Sequence, residues 1–285
     1  MCRICWEPIE SLVNEVRLDC DNCPTLTVIP EQLVRLEILS CPGCPLLETI
    51  SDKLVRLVAL DCARCPRLRS LPPTLVLLRT LYCHDCPLLV AIPPTFTALL
   101  KLFCWNCPLV ASIPPTLVRL THLDCGLCPL LSAIPDTLVD LSTLWCNDCP
   151  LIACIPRTLV NLERLGVNRC PLIRFIPVEL AELSRLWCIE CRSLTSIPRV
   201  VGWTDCQGSP WLTENADAFP NHLPSLLRLQ RWFRTGKKQS FKRWIRTRAF
   251  NEWIFHPDRI GGKLAKRQLE AELGAMRPAK KQRTM

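Results

Sequence analysis

Hydrophobic positions recur along this chain with a period of 21 residues between about Leu18 and Val201. Within one unit the leucines stand at fixed positions, with polar or variable residues between them: Leu57, Leu60, Leu68, Leu71, Leu75, Leu78. A fixed period of about 20 to 29 residues with a leucine framework is typical of a solenoid, in which each short unit stacks on its neighbours. The pattern therefore predicts one solenoid of about nine repeats over residues 18–201.

Two columns of cysteines run through the repeats in the same register. The first column is interrupted once, by Val167, and contains Cys20, Cys41, Cys62, Cys83, Cys104, Cys125, Cys146, Cys188. The second column is complete and contains Cys23, Cys44, Cys65, Cys86, Cys107, Cys128, Cys149, Cys170, Cys191. Side chains alternate between the two faces of a strand, so the first-column cysteines point inward with the leucine two positions earlier. We expect these thiols to behave as small buried hydrophobes.

The repeat resembles a leucine-rich repeat, whose consensus L-x-x-L-x-L-x-x-N/C-x-L is met by Leu78, Leu81, Cys83, Cys86 and then Leu89. The sixth position of this consensus is Cys rather than Leu. The apolar residue after the second Cys comes one position later than in the consensus, which is similar to the cysteine-containing class of leucine-rich repeats. The resemblance covers about two thirds of the chain and implies a horseshoe with a parallel sheet on its concave face. Prolines on the return path favour extended or 3₁₀ segments on the convex side.

Positions that face outward from the strands vary between repeats, and several of them are aromatic. Large aromatic side chains at solvent-facing strand positions are typical of protein-binding surfaces. We therefore predict a partner-binding surface on the concave face formed by Tyr82, His84, Phe103, Trp105, His122, Trp145, Arg164, Arg185, Trp187. The alternative is that these aromatic side chains only shield the sheet.

The N-terminal residues 1–17 are predicted to form a degenerate capping repeat. Cys2 lies 21 residues before Cys23, and Leu12 falls in the column of Leu33. The stretch from Cys2 to Cys5 also resembles the opening of a RING-CH finger, a zinc module of one ubiquitin-ligase family. We expect no metal site, and the alternative is a four-thiolate zinc site with C-x2-C-x14-C-x2-C spacing, formed by Cys2, Cys5, Cys20, Cys23.

Composition and charge divide the chain into two parts. Residues 221–285 contain 17 Lys and Arg against 4 Asp and Glu, while the whole chain of 285 residues has a net charge of +9.

We find no signal-peptide pattern at the N-terminus and no apolar run of membrane-helix length. With 21 cysteines interpreted as reduced core residues, we expect an intracellular protein in the cytoplasm of a host cell, with the nucleus or a virion as alternatives, and no membrane insertion.

The repeat pattern fails after Pro198, so residues 202–222 are predicted to be a cap and linker and residues 223–285 a basic helical region. The segment from Phe250 to Arg267 resembles a C-terminal element of repeat proteins from giant DNA viruses. Such a region can contact phosphates or an acidic surface, and its candidate residues are Lys237, Lys238, Lys242, Arg243, Arg246, Arg248.

No catalytic constellation is visible in the sequence. It contains four histidines, which fall in two repeats and in the tail, and it has no phosphate-binding G-x-x-x-x-G-K motif. We therefore predict a non-enzymatic scaffold that binds a protein partner, of host or viral origin, on the concave face and needs no cofactor. The alternatives are a zinc-dependent RING-CH-like ubiquitin-ligase component or adaptor, and a nucleic-acid-associated protein that uses the basic tail.

Overall fold

A computed structural model of the chain describes residues 2–195, 197, 198, 203–206 and 209. The chain divides into two units, Met1–His222 and Leu223–Met285, and the first contains all the described residues. The predicted C-terminal helices, the basic tail with its candidate residues and the virus-like element lie outside the described part. Most of the predicted cap and linker lies outside it as well.

Short parallel strands form the framework. In chain order they are β1 (Arg17–Asp19), β2 (Val28–Ile29), β3 (Ile38–Ser40), β4 (Thr49–Ile50), β5 (Ala59–Asp61), β6 (Thr80–Tyr82), β7 (Lys101–Phe103), β8 (His122–Asp124), β9 (Thr143–Trp145), β10 (Arg164–Gly166), β11 (Arg185–Trp187) and β12 (Trp203–Asp205). Ten of them form one parallel sheet in the order β1-β3-β5-β6-β7-β8-β9-β10-β11-β12, and β2 pairs with β4 in a second sheet. Neighbouring strands of the large sheet come from successive repeats, which confirms the predicted leucine-rich repeat solenoid.

The core lies inside the solenoid, behind the large sheet. In the large sheet, the middle residue of each strand from β1 to β11 is a buried leucine, as at Leu60 and Leu102. Every cysteine of both predicted columns is buried as well. The inward orientation predicted from the two-residue alternation of a strand is therefore confirmed.

The second-column cysteines bind successive repeats together. Each thiol from Cys44 to Cys191 donates a hydrogen bond to the backbone carbonyl of the first-column residue one repeat earlier, at 2.9–3.4 Å. A buried carbonyl without a partner costs about 1–3 kcal/mol. By donating to these buried carbonyls, the second-column thiols avoid this cost in addition to filling core volume.

The residue before each second-column cysteine adopts a left-handed backbone conformation. This position is Gly43 in one repeat, with φ of 68°, and a non-glycine residue with φ of 52–58° in the others: Asn22, Arg64, Asp85, Asn106, Leu127, Asp148, Arg169, Glu190. A non-glycine residue in this region costs roughly 1–2 kcal/mol. The solenoid thus repeats one tight turn in every unit and tolerates its conformational cost.

The sheet continues past the end of the 21-residue period. Strand β12 pairs in register with β11, so that Trp203 lies opposite Arg185 although only 18 residues separate them. Within this shortened repeat Cys206 is buried, and the Ser209 hydroxyl donates to the Cys188 carbonyl at 2.7 Å. With a strict period of 21 residues, Cys206 and Ser209 fall out of register with the preceding repeat. The repeat pattern therefore does not predict β12.

The N-terminal segment covers the first full repeat. It consists of the one-turn helix α1 (Arg3–Trp6), a 3₁₀ turn (Ile9–Ser11) and the fully buried Leu12. Ile4 and Ile9 pack against the core. On the convex side, the described repeats follow mostly turns and extended segments without regular helices.

Candidate functional site

The concave face is formed by the first and third residues of the strands in the large sheet and by the residue after each first-column cysteine. Parallel neighbouring strands lie about 4.8 Å apart, so equivalent side chains of successive repeats come close together. Pairing aligns Tyr82 with Phe103 and Phe103 with Asp124, and it aligns Trp145 with Gly166 and Gly166 with Trp187. The aromatic positions predicted from the sequence therefore share one surface.

Four rings in two successive repeats form two parallel stacks. The Tyr82 and Phe103 ring centroids are 4.6 Å apart with planes inclined by 3°, and those of His84 and Trp105 are 4.5 Å apart with planes inclined by 10°. Tyr82 is 36% exposed, whereas the other three rings are half-buried. We call these four residues the ring platform, and its spacing follows directly from the distance between strands.

Trp145 and Trp187 form a second aromatic contact further along the same face. Their ring centroids are 4.6 Å apart with planes tilted by 50°, although strand β10 separates the strands that hold them. Gly166 lies between them, and a Cβ built at this glycine falls 2.3 Å from Trp145 Cε3. The missing side chain therefore leaves room for Trp145 to lie across Gly166.

Asp124 separates the ring platform from the tryptophan pair. Its carboxylate accepts a hydrogen bond from the Gly126 N–H at 3.3 Å. Burial raises the pKa of Asp124 above its ordinary value, while the Gly126 N–H and nearby His84 act in the opposite direction. A carboxylate held this way places one acidic group in the middle of the aromatic surface.

Basic side chains line the first strand position in the C-terminal half of the face. Lys101, Arg164 and Arg185 are exposed. His122 is half-buried and contacts the Thr121 hydroxyl through Nδ1 at 3.0 Å. Its pKa is lowered by burial first and then by the positive charges of Lys101 and Arg164. His122 is therefore mainly neutral near pH 7, and the positive charge comes from the lysine and arginines.

Three of the four N-terminal cysteines named from the sequence come together in one cluster. The thiol sulfurs of Cys2, Cys5 and Cys23 all lie within 4.8 Å of one another. The Cys2 and Cys5 sulfurs are 3.7 Å apart, and those of Cys5 and Cys23 are 3.6 Å apart. Cys20 is not part of this set, although its thiol interacts with that of Cys2.

Burial and hydrogen bonding act differently on the thiols of this cluster. Burial raises the pKa of Cys2 to about 12, and the neighbouring thiols of Cys20 and Cys23 add to the effect. Burial also raises the pKa of Cys5, to about 11. At Cys23 burial acts in the same direction, but hydrogen bonds from Thr25 and Cys2 outweigh it and lower the pKa to about 6.

Two features of the concave face are missing from the sequence-based prediction. The small residue Gly166 permits the tryptophan contact. The sequence feature that indicates it is a glycine between two tryptophans in one column of the repeat. Asp124 is the second, and its signal is a lone acidic residue between aromatic residues in that column. Thr143 lies between His122 and Arg164 in the column of first strand positions but is buried.

Comparison with solved structures identifies proteins of similar fold. A leucine-rich repeat protein of Leptospira interrogans is 18% identical over 66% of this chain and 49% of that protein, with a TM-score of 0.49. The leucine-rich repeat domain of the type III effector XopL is 22% identical over 67% of this chain and 66% of that domain, with a TM-score of 0.46. A TDR receptor is 19% identical over 65% of this chain and 35% of that receptor, with a TM-score of 0.50.

The chain therefore spans between about a third and two thirds of the length of these proteins. No protein-family model matches the chain, and no curated protein matches it either. In the part of the chain that the structure describes, no helix is both long and apolar enough to span a membrane.

Proposed function

We propose that this leucine-rich repeat protein is a non-enzymatic scaffold that binds a protein partner on its concave face. The observation that carries the proposal is the ring platform, in which Tyr82, His84, Phe103 and Trp105 form two side-by-side stacks on adjacent strands. The buried leucine and cysteine columns specify the repeat without these residues. Their presence on an outward surface therefore favours a role in recognition.

The ring platform suits a protein interface for energetic reasons. An aromatic pair in stacked geometry contributes about 0.5–1.5 kcal/mol beyond the burial of its area, so the rings are held in place before a partner arrives. Side chains that are already ordered lose little conformational entropy on binding. Aromatic residues that a partner then covers are the usual hot spots of interfaces, where one truncation costs about 2 kcal/mol or more.

Charge around the rings indicates the chemistry of the partner. The exposed side chains of Lys101, Arg164 and Arg185 flank the aromatic residues, and Asp124 is the acidic group between them. We infer a partner segment with apolar side chains that cover the rings and acidic side chains that face the basic column. Complementary charge of this kind raises the association rate and fixes the orientation of binding.

The non-enzymatic character is part of the same proposal. His84 is stacked on Trp105 and contacts Asp85, while His122 contacts Thr121, so each of these histidines has a positioning partner within the sheet face. A reducing, intracellular setting suits a core in which the second-column thiols are hydrogen-bond donors. The basic tail remains a candidate for a secondary, salt-sensitive contact with an acidic surface.

Site-specific photo-cross-linking tests the proposal. Benzoylphenylalanine at position 82 of the full chain places the reactive group at the most exposed ring of the platform. Benzoylphenylalanine at position 118 is the matched control, since Val118 is 45% exposed but lies in a turn outside the sheet. After irradiation in cell lysate, cross-linked proteins are identified by mass spectrometry.

We expect at least one protein to be cross-linked at position 82 and not at position 118. Adding Trp105→Ala and Trp145→Ala to the position 82 protein should remove that product. Cross-linking of the same proteins from both positions, or a product that survives the two alanine substitutions, would count against recognition by the concave face.

A further inference from the structure

We propose that Cys2, Cys5 and Cys23 bind one zinc ion at the N-terminal end of the solenoid, with Cys20 completing a four-thiolate site. The site is independent of the concave face and does not rest on the proposed partner binding. It requires only that the thiols already brought together by α1 and the first full repeat become thiolates around a metal. The geometry of the sulfur atoms carries the proposal.

Two of the three distances between the sulfurs match those of a tetrahedral zinc site. Zinc–thiolate bonds are about 2.3 Å long, so two sulfurs at adjacent corners of a tetrahedron lie about 3.8 Å apart. The Cys2–Cys5 and Cys5–Cys23 distances are 3.7 and 3.6 Å. Two of the three sulfur pairs therefore lie at nearly the separation that a single bound ion requires, and the third pair lies within 4.8 Å.

Cys23 differs from the other second-column cysteines in its hydrogen bonding. The equivalent thiols, such as that of Cys44, donate to a backbone carbonyl of the previous repeat. Within the described residues the Cys23 sulfur has no such carbonyl and instead accepts the Cys2 N–H at 3.3 Å. A sulfur that accepts a backbone N–H is oriented as a metal-bound thiolate, because outer hydrogen bonds of this kind stabilise ligand charge.

The surrounding elements hold the ligands in place. Cys2 and Cys5 lie at the start of α1 and within it, and Arg3 of the same helix forms ion pairs with Glu7 and Glu15 at 2.7 and 2.9 Å. These ion pairs fix the one-turn helix to the segment that follows it. Helix α1 alone is far too short to be stable, and a zinc ion that joins it to Cys23 would add a link to the packing of Ile4 against the core.

A fourth ligand is available from the neighbouring column. The Cys20 thiol interacts with that of Cys2 and is buried beside the cluster. The spacing of the four residues, C-x2-C-x14-C-x2-C, is that of a structural four-cysteine zinc site. Four thiolate ligands close the coordination sphere, so the ion is expected to have a structural role at the end of the solenoid.

Metal content is the direct test. The full chain is loaded with zinc, dialysed against metal-free buffer under reducing conditions and analysed for metals. We expect one zinc per chain for the unaltered protein and for Cys154→Ser, which removes an exposed thiol outside the cluster. We expect Cys5→Ser to lose the zinc, and unchanged stoichiometry in Cys5→Ser would overturn the proposal.

Thiol labelling of the unaltered protein tests the site without any substitution. Zinc should protect Cys2 and Cys5 from a small alkylating reagent, and a chelator should make both residues reactive, as followed by mass spectrometry of the labelled peptides. Exposed Cys154 is the internal control and should react at the same rate throughout. Equal labelling of Cys2 and Cys5 with and without chelator would overturn the proposal. Protection that is removed only by a reductant would also overturn the proposal, because that result identifies a disulfide.

Discussion

The rings of Trp145 and Trp187 meet at a centroid distance of 4.6 Å across an intervening strand. The contact exists because Gly166, on that strand, has no side chain to occupy the space. Neighbouring residues in a parallel sheet contact one another as a matter of course, but contacts between residues two strands apart require a small residue in the middle. The tryptophan pair is therefore a specific feature of this face.

Substitution of Gly166 by Ala should separate the two tryptophans. The new methyl group would lie 2.3 Å from Trp145 Cε3 and 2.7 Å from Cζ3, so the ring has to move. Overpacking of this kind costs about 1–3 kcal/mol. We expect the near-ultraviolet circular dichroism of the tryptophans to change, with the far-ultraviolet spectrum preserved and the unfolding midpoint lowered.

Gly126→Ala is the matched control for this substitution. A Cβ at Gly126 has its nearest contact with the Asn147 carbonyl oxygen at 3.2 Å, which a shift of a few tenths of an ångström relieves. Its tryptophan spectrum should match that of the unaltered protein. Equal spectral changes in both variants would show that Gly166 has no particular role in the tryptophan contact.

Serine should be tolerated better at position 107, in the second cysteine column, than at position 104, in the first. A hydroxyl at position 107 can donate to the Cys83 carbonyl as the thiol does, whereas in the described chain the Cys104 thiol makes no hydrogen bond. A buried hydroxyl without a partner costs about 1–3 kcal/mol. Denaturant unfolding should show a loss of that order for Cys104→Ser and a smaller loss for Cys107→Ser.

The last repeat already contains such a serine. The Ser209 hydroxyl donates to the Cys188 carbonyl, in the place that a cysteine thiol takes in the preceding repeats. Losses of the same size for Cys104→Ser and Cys107→Ser would mean that the thiol hydrogen bonds contribute nothing measurable to stability.

Asp124→Asn should stabilise the protein most at neutral pH. Burial raises the folded-state pKa of Asp124 above its ordinary value of 3.8, so the folded state binds the proton more tightly than the unfolded state. Stability contributed by this group is then present below that ordinary pKa and is lost as pH rises through the folded-state pKa. Asparagine does not ionise and avoids this loss.

Thermal unfolding of both proteins at about pH 3 and about pH 7 measures the effect. Other groups titrate alike in the two proteins, so the difference between them isolates Asp124. We expect the midpoint of Asp124→Asn, relative to the unaltered protein, to be higher at neutral pH than at acidic pH. A difference that is independent of pH would contradict a perturbed carboxyl group.

Deletion of residues 237–285 should flatten the salt dependence of partner binding. This segment contains the six basic residues predicted to contact an acidic surface, and exposed charges are screened within about 10 Å at 0.1 M salt. Affinity measured at low and high salt should therefore change less for the shortened chain. If deletion abolished binding at every salt concentration, the tail would be the main binding site and the solenoid a spacer.

The repeat period predicts most of the fold, because every buried leucine and every buried cysteine except Cys206 follows from one 21-residue pattern and the alternation of strand faces. It also places the aromatic residues on one surface, since their column is outward in every repeat. The ring geometry does not follow from the period. Whether Tyr82 stacks on Phe103 or Trp145 reaches Trp187 depends on side-chain rotamers and on the space left by Gly166.

Two ends of the solenoid depart from the pattern for physical reasons. At the C-terminal end a repeat of 18 residues keeps the hydrogen-bond register, because pairing of β11 with β12 depends on strand geometry and not on the length of the return path. At the N-terminal end Cys23 has neighbours in α1 in place of a full repeat. The Cys23 sulfur therefore contacts the thiols of Cys2 and Cys5. The spacing of the cysteines indicates this contact, but the folded chain is needed to establish it.

The affinity of Trp105→Ala combined with Trp145→Ala for the partner identified at position 82 is the most direct test of recognition by the concave face. It should be measured by calorimetry beside the thermal unfolding midpoint, with Val118→Ala as the surface control. We predict a loss of at least tenfold in affinity, since removal of an interface aromatic residue costs about 2 kcal/mol or more. The variant should stay folded, with its midpoint lowered only by the loss of two ring contacts, about 0.5–1.5 kcal/mol each. Unchanged affinity, or unfolding of the double variant, would contradict the account and assign the aromatic residues to the structure of the sheet.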